Sequence, residues 1–377
     1  MKIAFDLRRI NNPGIGRYMK CLTEAVLAQA PQHEYLLILP AGSTDAICCD
    51  SANVERLMTS TPCYSFREQF ALPRILRGRQ VDVLHSPHFN LPLRRVCSSV
   101  VTIHDVIYLA CRGDLPSRLG RIYYRNMMRA AVRIADRVLT VSQWSRQDIS
   151  RHLGCDPEKV EVVYPAVRPG FGVVSEQKQI EPVLMRLGIE EEFILYTGIY
   201  KPRKNHAALL LAFRSFMEGG KKASLVIAGP LGEGEQILRQ MAARLGIVDR
   251  VVFTGFVSDE DLPALYTAAR VYACPSLYEG FGFTVLEAMA CGVPVVCAPE
   301  TSLPEVAGTA ALYANPRNAE EFGAAMGRAF SDSALREQLI ERGFANVRRF
   351  SWQAAAARSL AAYESTVDVP LEKAVCV

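Results

Sequence analysis

Residues 271–298 read VYACPSLYEGFGFTVLEAMACGVPVVCA, and the order of residue types in this stretch decides the fold. Residues 271–276 are short and mostly apolar, which predicts a buried strand, and a loop containing Gly280 and Gly282 follows. Residues 284–291 predict a helix, and a Gly-Val-Pro turn leads into a second apolar strand. A strand, a crossover helix and a second strand predict a parallel βαβ unit.

The same alternation extends through the C-terminal half of the chain. The strand-like segments FILYTG, ASLVIAG and RVVFTG alternate with helix-like segments near 205–217, 233–245 and 259–269. The strand-like segments are rich in Val, Ile and Leu without strict alternation, which is typical of parallel strands buried on both faces. Residues 171–352 are therefore predicted to form a doubly wound, Rossmann-like domain.

The N-terminal half repeats this pattern. Its strand-like segments include KIAFDL, EYLLIL, SSVVTIHD and KVEVVYP, and a helix is predicted over residues 118–135. The Pro- and Gly-rich residues 164–182 break the period and are interpreted as a linker. Because 377 residues exceed what one hydrophobic core usually serves, we expect an α/β protein with a second Rossmann-like domain over residues 1–170, the two domains facing across a cleft. A final helix, about 353–377, could pack back on that first domain.

The cysteines and the N-terminus predict a cytoplasmic protein. The chain has 11 cysteines, an odd number, with no C-x-x-C pair, and several lie in apolar runs as buried reduced thiols do. The first ten residues lack the pattern of a signal peptide, and no apolar run is long enough to predict a membrane-spanning helix. The six histidines share no ligand spacing, so no metal site is expected. No cofactor is expected either.

Positive charge is concentrated in the N-terminal half. Residues 1–170 carry 23 Lys and Arg against 15 Asp and Glu, whereas residues 171–377 carry 20 against 24. Seven arginines occupy positions 112, 118, 121, 125, 129, 133 and 137, and from 118 onward their spacing predicts one face of an amphipathic helix. This face is either solvated or binds an anionic membrane surface or a lipid diphosphate. No aromatic-interleaved basic motif predicts nucleic-acid binding.

Candidate ligand-binding residues follow the predicted strands, because open α/β sheets bind ligands at the carboxyl ends of their strands. Gly14 and Gly16, in the segment NNPGIGRY, either bring backbone amides close to a phosphate or form a tight turn. Their spacing does not complete the dinucleotide-binding fingerprint. His104 and Asp105 follow the strand SSVVTI, where His104 is either a polar contact in the site or a structural residue.

Four charged residues follow strands in the C-terminal half. Arg203 and Lys204 precede a predicted helix and form either a diphosphate cradle or a solvated basic turn. Glu279 lies in a glycine-containing loop and Glu287 about one turn into the next helix, so they are interpreted as separate hydroxyl contacts rather than an acid/base pair. Glu287 lies in an otherwise apolar run, where an unpaired carboxylate is costly, so a bound partner is expected to explain it.

These segments together resemble the retaining glycosyltransferases of the GT-B fold, specifically family 4. The resemblance covers nearly the whole chain and rests on the E-x7-E spacing of Glu279 and Glu287 and on five further segments. Those segments are PGIGRY, TIHD at 102–105, VSQWSR at 141–146, YTGIYKPRKN at 196–205 and FTGFVSDEDLPALYTAA at 253–269. The variants HSPHFNLPL, TIHD and PRKN resemble the bacterial mannosyltransferase-like branch that builds surface polysaccharides.

The resemblance implies donor-binding roles for individual residues. Glu287 would hold the ribose hydroxyls of the nucleotide, Glu279 would contact the donor sugar, and Lys204 would neutralise the diphosphate. Further implied donor-binding residues are Gly14 and Gly16 near the diphosphate, Phe256 and Val257 at the base, and Gly280, Phe281, Gly282, Phe283 and Thr284 in the loop and helix start.

The resemblance also implies residues at the reacting face. His104 would lie beside the donor sugar, and Asp105 and Ser142 would lie on the acceptor side. The family commonly has an arginine five or six residues before the lysine, where this chain has Ile and Gly. Arg203 is expected to supply that missing charge.

The implied reaction is hexosyl transfer with retention and without a metal. The expected donor is a GDP-linked mannose or a deoxy relative such as rhamnose, and the expected acceptor is a lipopolysaccharide O-antigen or other bacterial surface glycan, or a lipid-linked saccharide. The protein would act in the cytoplasm, peripherally on the inner face of the membrane. A sugar-nucleotide epimerase of the same fold and a non-catalytic nucleotide-sugar binding protein remain alternatives.

Overall fold

The computed structural model describes residues 1–49, 51–111, 113–114 and 117–367. These residues divide into two compact units. The N-terminal unit combines Met1–Ala166 with the segment that starts at Ser351, and the C-terminal unit is Val167–Phe350. The chain therefore leaves the N-terminal unit after Ala166 and returns to it at Ser351.

Strands and helices alternate along both units. Up to Ala166 the elements are β1 (Lys2–Asp6), α1 (Ile15–Gln29), β2 (Glu34–Pro40), β3 (Val54–Thr59), α2 (Glu68–Gly78), β4 (Val83–Ser86), β5 (Ser98–Thr102), α3 (Ile107–Ala110), α4 (Arg118–Ile134), β6 (Arg137–Thr140), α5 (Gln143–Leu153) and β7 (Val160–Val162). From Val167 they are α6 (Gln177–Leu187), β8 (Phe193–Thr197), α7 (His206–Glu218), β9 (Ser224–Ala228), α8 (Gly234–Arg244), β10 (Val251–Gly255), α9 (Leu262–Ala268), β11 (Val271–Cys274), α10 (Phe283–Ala290), β12 (Val295–Cys297), α11 (Leu303–Ala307), β13 (Ala311–Tyr313), α12 (Ala319–Ser331), α13 (Ser333–Val347) and α14 (Trp352–Val367).

Each unit is built on one parallel sheet. In the described residues, the strands of the N-terminal unit lie in the order β3-β2-β1-β4-β5-β6-β7, and those of the C-terminal unit in the order β10-β9-β8-β11-β12-β13. In both sheets the chain runs outward on one side of the first strand and then reverses to the other side, which is the doubly wound order. The predicted α/β fold with two Rossmann-like domains is confirmed.

Burial explains why the strand sequences lack alternation. Every residue of β8 and of β11 is buried, because helices cover both faces of a parallel sheet. In the C-terminal unit, Leu209 and Phe213 of α7 pack in one core cluster with Phe322 and Met326 of α12. This rigid layer holds the loops at the carboxyl ends of the strands in place.

The C-terminal helix α14 belongs to the N-terminal unit. The hydroxyl of Tyr363 lies 2.6 Å from Nδ1 of His85 in β4, and the ring of Trp352 packs edge-on against Tyr18 of α1. Residues 368–377, which the sequence suggested as the end of this helix, lie outside the described residues.

The predicted linker is only partly irregular. Residues 164–182 were expected to lack a helix, but α6 begins at residue 177. Ile180 and Val183 of α6 are buried and pack against Ala264 of α9, and this apolar contact stabilises the helix. Pro182 inside the helix weakened its sequence pattern, because proline removes a backbone donor and favours helix ends.

The arginine-rich helix agrees with the predicted range 118–135 to within one residue, but its arginine face is shorter than predicted. It ends at Ile134, so Arg137 is the first residue of β6, and Arg112 lies outside the described residues. The buried residues of α4 are Met128, Ala131 and Val132. Ile122 and Tyr123 of the same helix are about half exposed. Among the described residues, no helix is both long and apolar enough to cross a membrane.

Candidate functional site

The loops after β8 and β11 meet at the point where the C-terminal sheet reverses. Those two strands are neighbours in the sheet, and a ligand site is expected outside their carboxyl ends. The backbone amide of Leu277 donates to the carbonyl of Arg203 over 2.7 Å, and the Asn205 side chain donates to the carbonyl of Pro275 over 3.3 Å. These bonds join the two loops into one surface.

Lys204 and Glu279 form an ion pair on this surface. Nζ of Lys204 lies 2.5 Å from Oε1 of Glu279, and the two side chains are 13% and 12% exposed. Burial alone would raise the pKa of Glu279, but the charges of Lys204 and Arg203 and hydrogen bonds from Lys204 and Ser276 outweigh it, so the net shift is downward. The pair therefore presents one fixed carboxylate beside two cations.

The backbone around Glu279 is held by the loop after β12. The hydroxyl of Thr301 accepts from the Glu279 amide over 3.0 Å, and the hydroxyl of Ser302 lies 2.9 Å from the Glu279 carbonyl and 3.0 Å from that of Phe281. The buried Phe281 ring packs against the rings of Phe283 and Phe350. Phe281 therefore anchors the loop through both its ring and its carbonyl.

Gly282 starts helix α10 in a backbone conformation that favours glycine. Its φ is +103°, and an added Cβ would stand 2.9 Å from Cδ2 of Leu303. Any side chain there would strain the loop and push against α11. Gly282, for which the resemblance implies a donor-binding role, is thus required for packing as well. Gly280 and Thr284 lie on either side of this position, and their donor-binding roles stay predictions.

Glu287 has partners within the protein. It is almost fully buried on α10, Oε1 accepts from Nε of Arg168 over 3.3 Å, and Oε2 accepts from the Tyr266 hydroxyl over 3.2 Å. The sequence led us to expect a bound partner for this buried carboxylate, and within the protein Arg168 already supplies a compensating charge. Its predicted role toward the ribose stays a prediction.

Phe256 and Val257 lie just after β10, at the same edge of the sheet. Phe256 is 74% exposed, whereas Val257 is buried. An exposed aromatic ring beside a buried aliphatic residue is compatible with stacking on a base, and the role of both residues stays a prediction.

The two glycines of the N-terminal unit have different structural roles. Gly14 has φ +87° and open space around an added Cβ, and it caps the start of α1. Gly16 is buried within α1, and an added Cβ would collide with the backbone carbonyl of Ile10. The absence of a side chain at Gly16 therefore lets the preceding loop, at Ile10, pack directly against α1. The predicted approach of Gly16 to a diphosphate stays a prediction.

His104 is held as a neutral ring with a defined tautomer. Burial lowers its pKa to about 4, although its hydrogen bond to the Pro87 carbonyl opposes that shift. Nε2 donates to this carbonyl over 3.0 Å, so Nδ1 is the acceptor nitrogen of the neutral ring. The ring packs edge-on against Tyr18, with centroids 4.6 Å apart. Nδ1 of His104 can thus accept a hydrogen bond from a hydroxyl group, and the ring carries no charge at neutral pH.

The two residues assigned to the acceptor side have structural contacts. Oδ1 of Asp105 accepts from the Ile107 amide over 2.9 Å at the start of α3. The buried Ser142 hydroxyl caps α5 by accepting from the Ser145 amide over 3.0 Å. These bonds position both side chains, and their acceptor roles stay predictions.

The sequence arguments missed a buried polar cluster at the carboxyl ends of β1 and β4. The Arg8 guanidinium donates to both carboxylate oxygens of Asp6 over 2.7 Å and to Glu68 over 3.1 Å, and the Asn90 side chain donates to Glu68 over 2.7 Å. Among the described residues, Oε1 of Glu68 and Oδ1 of Asn90 are buried without a hydrogen-bond partner. An aspartate ending a buried strand, followed by two arginines in FDLRR, was the signal that could have indicated it.

The part of the chain that the structure describes contains no cluster of metal ligands. No group of three or more His, Cys, Asp or Glu side chains there could hold a metal ion. The residues that concentrate charge at the reversal of the C-terminal sheet are instead the pair Lys204–Glu279 and Arg203.

Comparisons with known proteins agree with this geometry. Residues 14–171 match the family model described as Glycosyltransferase Family 4, and residues 186–345 match the model described as Glycosyl transferases group 1. The O-antigen chain mannosyltransferase B of Escherichia coli is 32% identical over 383 residues, which cover 97% of this chain and 100% of that protein.

Solved structures share the architecture at low sequence identity. A glycosyltransferase from Rickettsia africae superposes with a TM-score of 0.75 at 15% identity, covering 98% of this chain and 99% of that one. Anabaena Alr3699/HepE, in complex with UDP and glucose, superposes with a TM-score of 0.71 at 21% identity, covering 97% and 100%.

The two Rossmann-like units and these structural likenesses define the GT-B fold, and the two family models define the chain as a glycosyltransferase. Within that class, the chain belongs to glycosyltransferase family 4, and it is mannosyltransferase-like. The family resemblance of the sequence is confirmed.

Proposed function

We propose that this chain transfers a hexose, mannose or a deoxy relative such as rhamnose, from a nucleotide-diphosphate sugar to a bacterial surface glycan or its lipid-linked precursor. The donor is GDP-linked, the anomeric configuration is retained, and the activity is that of a hexosyltransferase (EC 2.4.1.-). The observation that carries the proposal is the nearly buried Lys204–Glu279 pair beside Arg203, at the reversal of the C-terminal sheet. The similarity to an O-antigen chain mannosyltransferase supports the sugar and the acceptor class.

The charge of the leaving group explains why Lys204 and Arg203 lie at the reversal of the C-terminal sheet. As the bond from the sugar to the phosphate breaks, negative charge develops on the nucleoside diphosphate. Lys204 and Arg203 stand immediately before the N-terminus of α7, and fixed cations together with a helix dipole stabilise such charge. We propose that these groups do so without a metal ion or another cofactor.

Retention follows from attack on the face that the leaving group departs from. The acceptor hydroxyl oxygen forms a bond to the anomeric carbon, the bond from that carbon to the phosphate oxygen breaks, and the hydroxyl proton passes to the departing phosphate. Glu279 is held by Lys204 at 2.5 Å, which disfavours a role as a covalent nucleophile. In this scheme Glu279 accepts a hydrogen bond from the donor sugar.

The N-terminal unit offers groups that suit a saccharide. His104 presents a neutral acceptor nitrogen, and Glu68 and Asn90 each carry a buried acceptor oxygen without a partner in the described part of the chain. Acceptors of this kind bind hydroxyl groups, so we propose that this unit contacts sugar hydroxyls. The acceptor-side assignments of Asp105 and Ser142 are part of the same proposal.

A donor screen followed by product analysis tests the proposed reaction. Thermal unfolding is measured with GDP-mannose, GDP-rhamnose, UDP-glucose and dTDP-rhamnose, and the largest stabilisation is expected for a GDP sugar. The stabilising donor is then incubated with lipid-linked saccharides, and the anomeric configuration of the new linkage is determined by NMR. An inverted product, or stabilisation by UDP-glucose alone, would contradict the proposal.

The two alternatives give different products in the same assay. An epimerase would convert the nucleotide sugar to its isomer without any acceptor, and a non-catalytic binding protein would leave every donor unchanged. Turnover that is insensitive to a chelator is expected for a metal-independent transferase, whereas loss of turnover with EDTA and its recovery with Mg²⁺ would contradict that part of the proposal.

We also propose that the arginine face of α4 binds an anionic membrane surface, which places the enzyme peripherally at the inner membrane. The helix carries arginines at 118, 121, 125, 129 and 133, and Leu119, Ile122 and Tyr123 on it are about half exposed or more. Charge and exposed apolar groups on one helix suit an interfacial location. Flotation with vesicles of phosphatidylglycerol and phosphatidylcholine is expected to recover the protein, and equal recovery with phosphatidylcholine alone would contradict this.

A further inference from the structure

Arg168 links two carboxylates of the C-terminal unit. Its Nε donates to Oε1 of Glu287 over 3.3 Å, and its Nη1 lies 2.6 Å from Oδ2 of Asp259. The guanidinium carbon lies 4.4 Å from the centroid of the Phe171 ring, and the Arg168 side chain is only 10% exposed. A planar fork that stacks on an aromatic ring and bonds two carboxylates has little rotational freedom.

The two carboxylates come from segments that both follow strands of the sheet. Asp259 lies in the loop after β10, two residues beyond Val257, and Glu287 lies on α10, which follows β11. The Tyr266 hydroxyl donates to the second oxygen of Glu287 over 3.2 Å. The Arg168 and Tyr266 donors together orient the Glu287 carboxylate, which is the group that the proposed function assigns to the ribose hydroxyls.

One feature of this cluster suits a ligand more than a purely structural role. Arg168 pairs with two carboxylates, of which Glu287 is nearly buried and Asp259 is about half exposed. Nη2 of Arg168 is buried and has no hydrogen-bond partner among the residues that the structure describes. Buried ion pairs contribute little net stability compared with apolar residues of similar volume, so stability alone is a weak reason for this arrangement.

We infer that Arg168 is a positioning residue of the donor-nucleotide site. Arg168 holds the Glu287 carboxylate in the orientation that ribose hydroxyls require, and its second ion pair holds the loop of Asp259 beside Glu287. The inference rests on the proposed function, because it assigns Glu287 to the nucleotide. It adds a residue from the segment before α6, which the sequence pattern indicated only as a linker. Arg168 acts through Glu287 and does not touch the reacting atoms.

The test compares nucleotide binding by four variants of the full chain. The affinity for GDP and for UDP is measured by isothermal titration calorimetry for R168M, R168K, E287Q and the double variant R168M/E287Q. The matched control is R186M, because Arg186 also pairs with an aspartate of this region, Asp261, at 2.6 Å, but its side chain is 57% exposed. Thermal unfolding of each variant establishes that it is folded.

If Arg168 acts through Glu287, R168M weakens nucleoside diphosphate binding by about tenfold or more, which is the loss expected when a charged hydrogen-bond partner is removed. The donor KM rises by a similar factor while kcat changes little. The double variant binds no more weakly than E287Q alone, and R186M binds like the wild type. R168K is also weakened, because one ammonium group cannot bond two carboxylates in a fork.

The outcomes separate this inference from the proposed function. Wild-type nucleotide affinity in R168M, or in R168K if R168M does not fold, overturns the inference. If E287Q binds the nucleotide more weakly in the same experiment, the proposed function stands. The inference is also overturned if the losses of affinity in R168M and E287Q add in the double variant, since Arg168 would then act independently of Glu287. Wild-type affinity in E287Q contradicts the assignment of Glu287 itself.

Discussion

Nζ of Lys204 lies 2.5 Å from Oε1 of Glu279, although the two residues are 75 positions apart in the sequence. They meet because β8 and β11, the strands that precede their loops, are neighbours at the reversal of the C-terminal sheet. The order of strands therefore converts two separate sequence motifs into one buried ion pair. The charge of Lys204, together with that of Arg203, lowers the pKa of the buried Glu279 carboxyl.

Removing the lysine is expected to destabilise the protein more than removing both partners. K204M leaves Glu279 buried without its nearest cation, which is expected to lower the free energy of unfolding by about 3 kcal/mol. The double variant K204M/E279Q also removes the unpaired charge of Glu279, so it is expected to recover most of the lost free energy of unfolding. Urea unfolding of the wild type, both single variants and the double variant measures the coupling free energy.

A surface pair provides the control for this cycle. Arg214 and Glu218 pair at 2.9 Å on α7 with side chains 48% and 62% exposed, so R214M is expected to change stability by about 0.5 kcal/mol or less. Strictly additive effects of K204M and E279Q would contradict the account of the buried pair.

Two glycines of the same segment are expected to respond differently to alanine. G16A forces a methyl group against the Ile10 carbonyl in a buried helix, and overpacking of this kind lowers the free energy of unfolding by about 3 kcal/mol. G14A meets open space and carries only the strain of its positive φ, about 1 kcal/mol. Thermal unfolding of the two variants compares them, and equal losses would show that Gly16 is not tightly packed.

His206 is expected to make stability depend on pH between about 6.5 and 4. The ring is buried between Tyr196 and Tyr200, and burial, together with the charge of Lys204, lowers its pKa from 6.5 to about 4. Since the unfolded chain binds a proton more readily, this contribution is present above pH 6.5 and is lost as the pH falls toward the folded-state pKa.

H206L is the variant that measures this contribution. Between pH 7 and pH 5 the wild type is expected to lose about 2 kcal/mol more of its free energy of unfolding than H206L does. Chemical unfolding at the two pH values gives this difference directly. Identical pH dependence of the two proteins would mean that His206 titrates alike in the folded and unfolded states.

The architecture could be predicted from the sequence because parallel strands buried on both faces leave continuous apolar runs. β8 and β11 are such runs, and each is followed by a glycine-containing loop and a helix. Where the pattern is weak the prediction fails: β3 is only partly buried along its length, and α6 contains a proline. For those elements, tertiary contacts such as Ile180 against Ala264 decide the structure.

The candidate site could be predicted only where a motif lies at the end of a strand. Lys204 and Glu279 have that position, but their ion pair depends on which strands are neighbours, and no local pattern encodes this. Arg168 was missed for the same reason, since it lies in a Pro- and Gly-rich segment 119 positions from Glu287. The buried Asp6–Arg8 cluster was hidden because its members come from separate elements.

The transfer rates of the Lys204 and Glu279 variants show whether this ion pair serves the reaction. With the nucleotide sugar that stabilises the wild type and a lipid-linked saccharide as acceptor, K204M and E279Q are expected to lower kcat/KM by at least about 100-fold, whereas R214M has the wild-type value. Turnover of either variant at the wild-type rate, or no consumption of any nucleotide sugar by the wild type, would contradict the account.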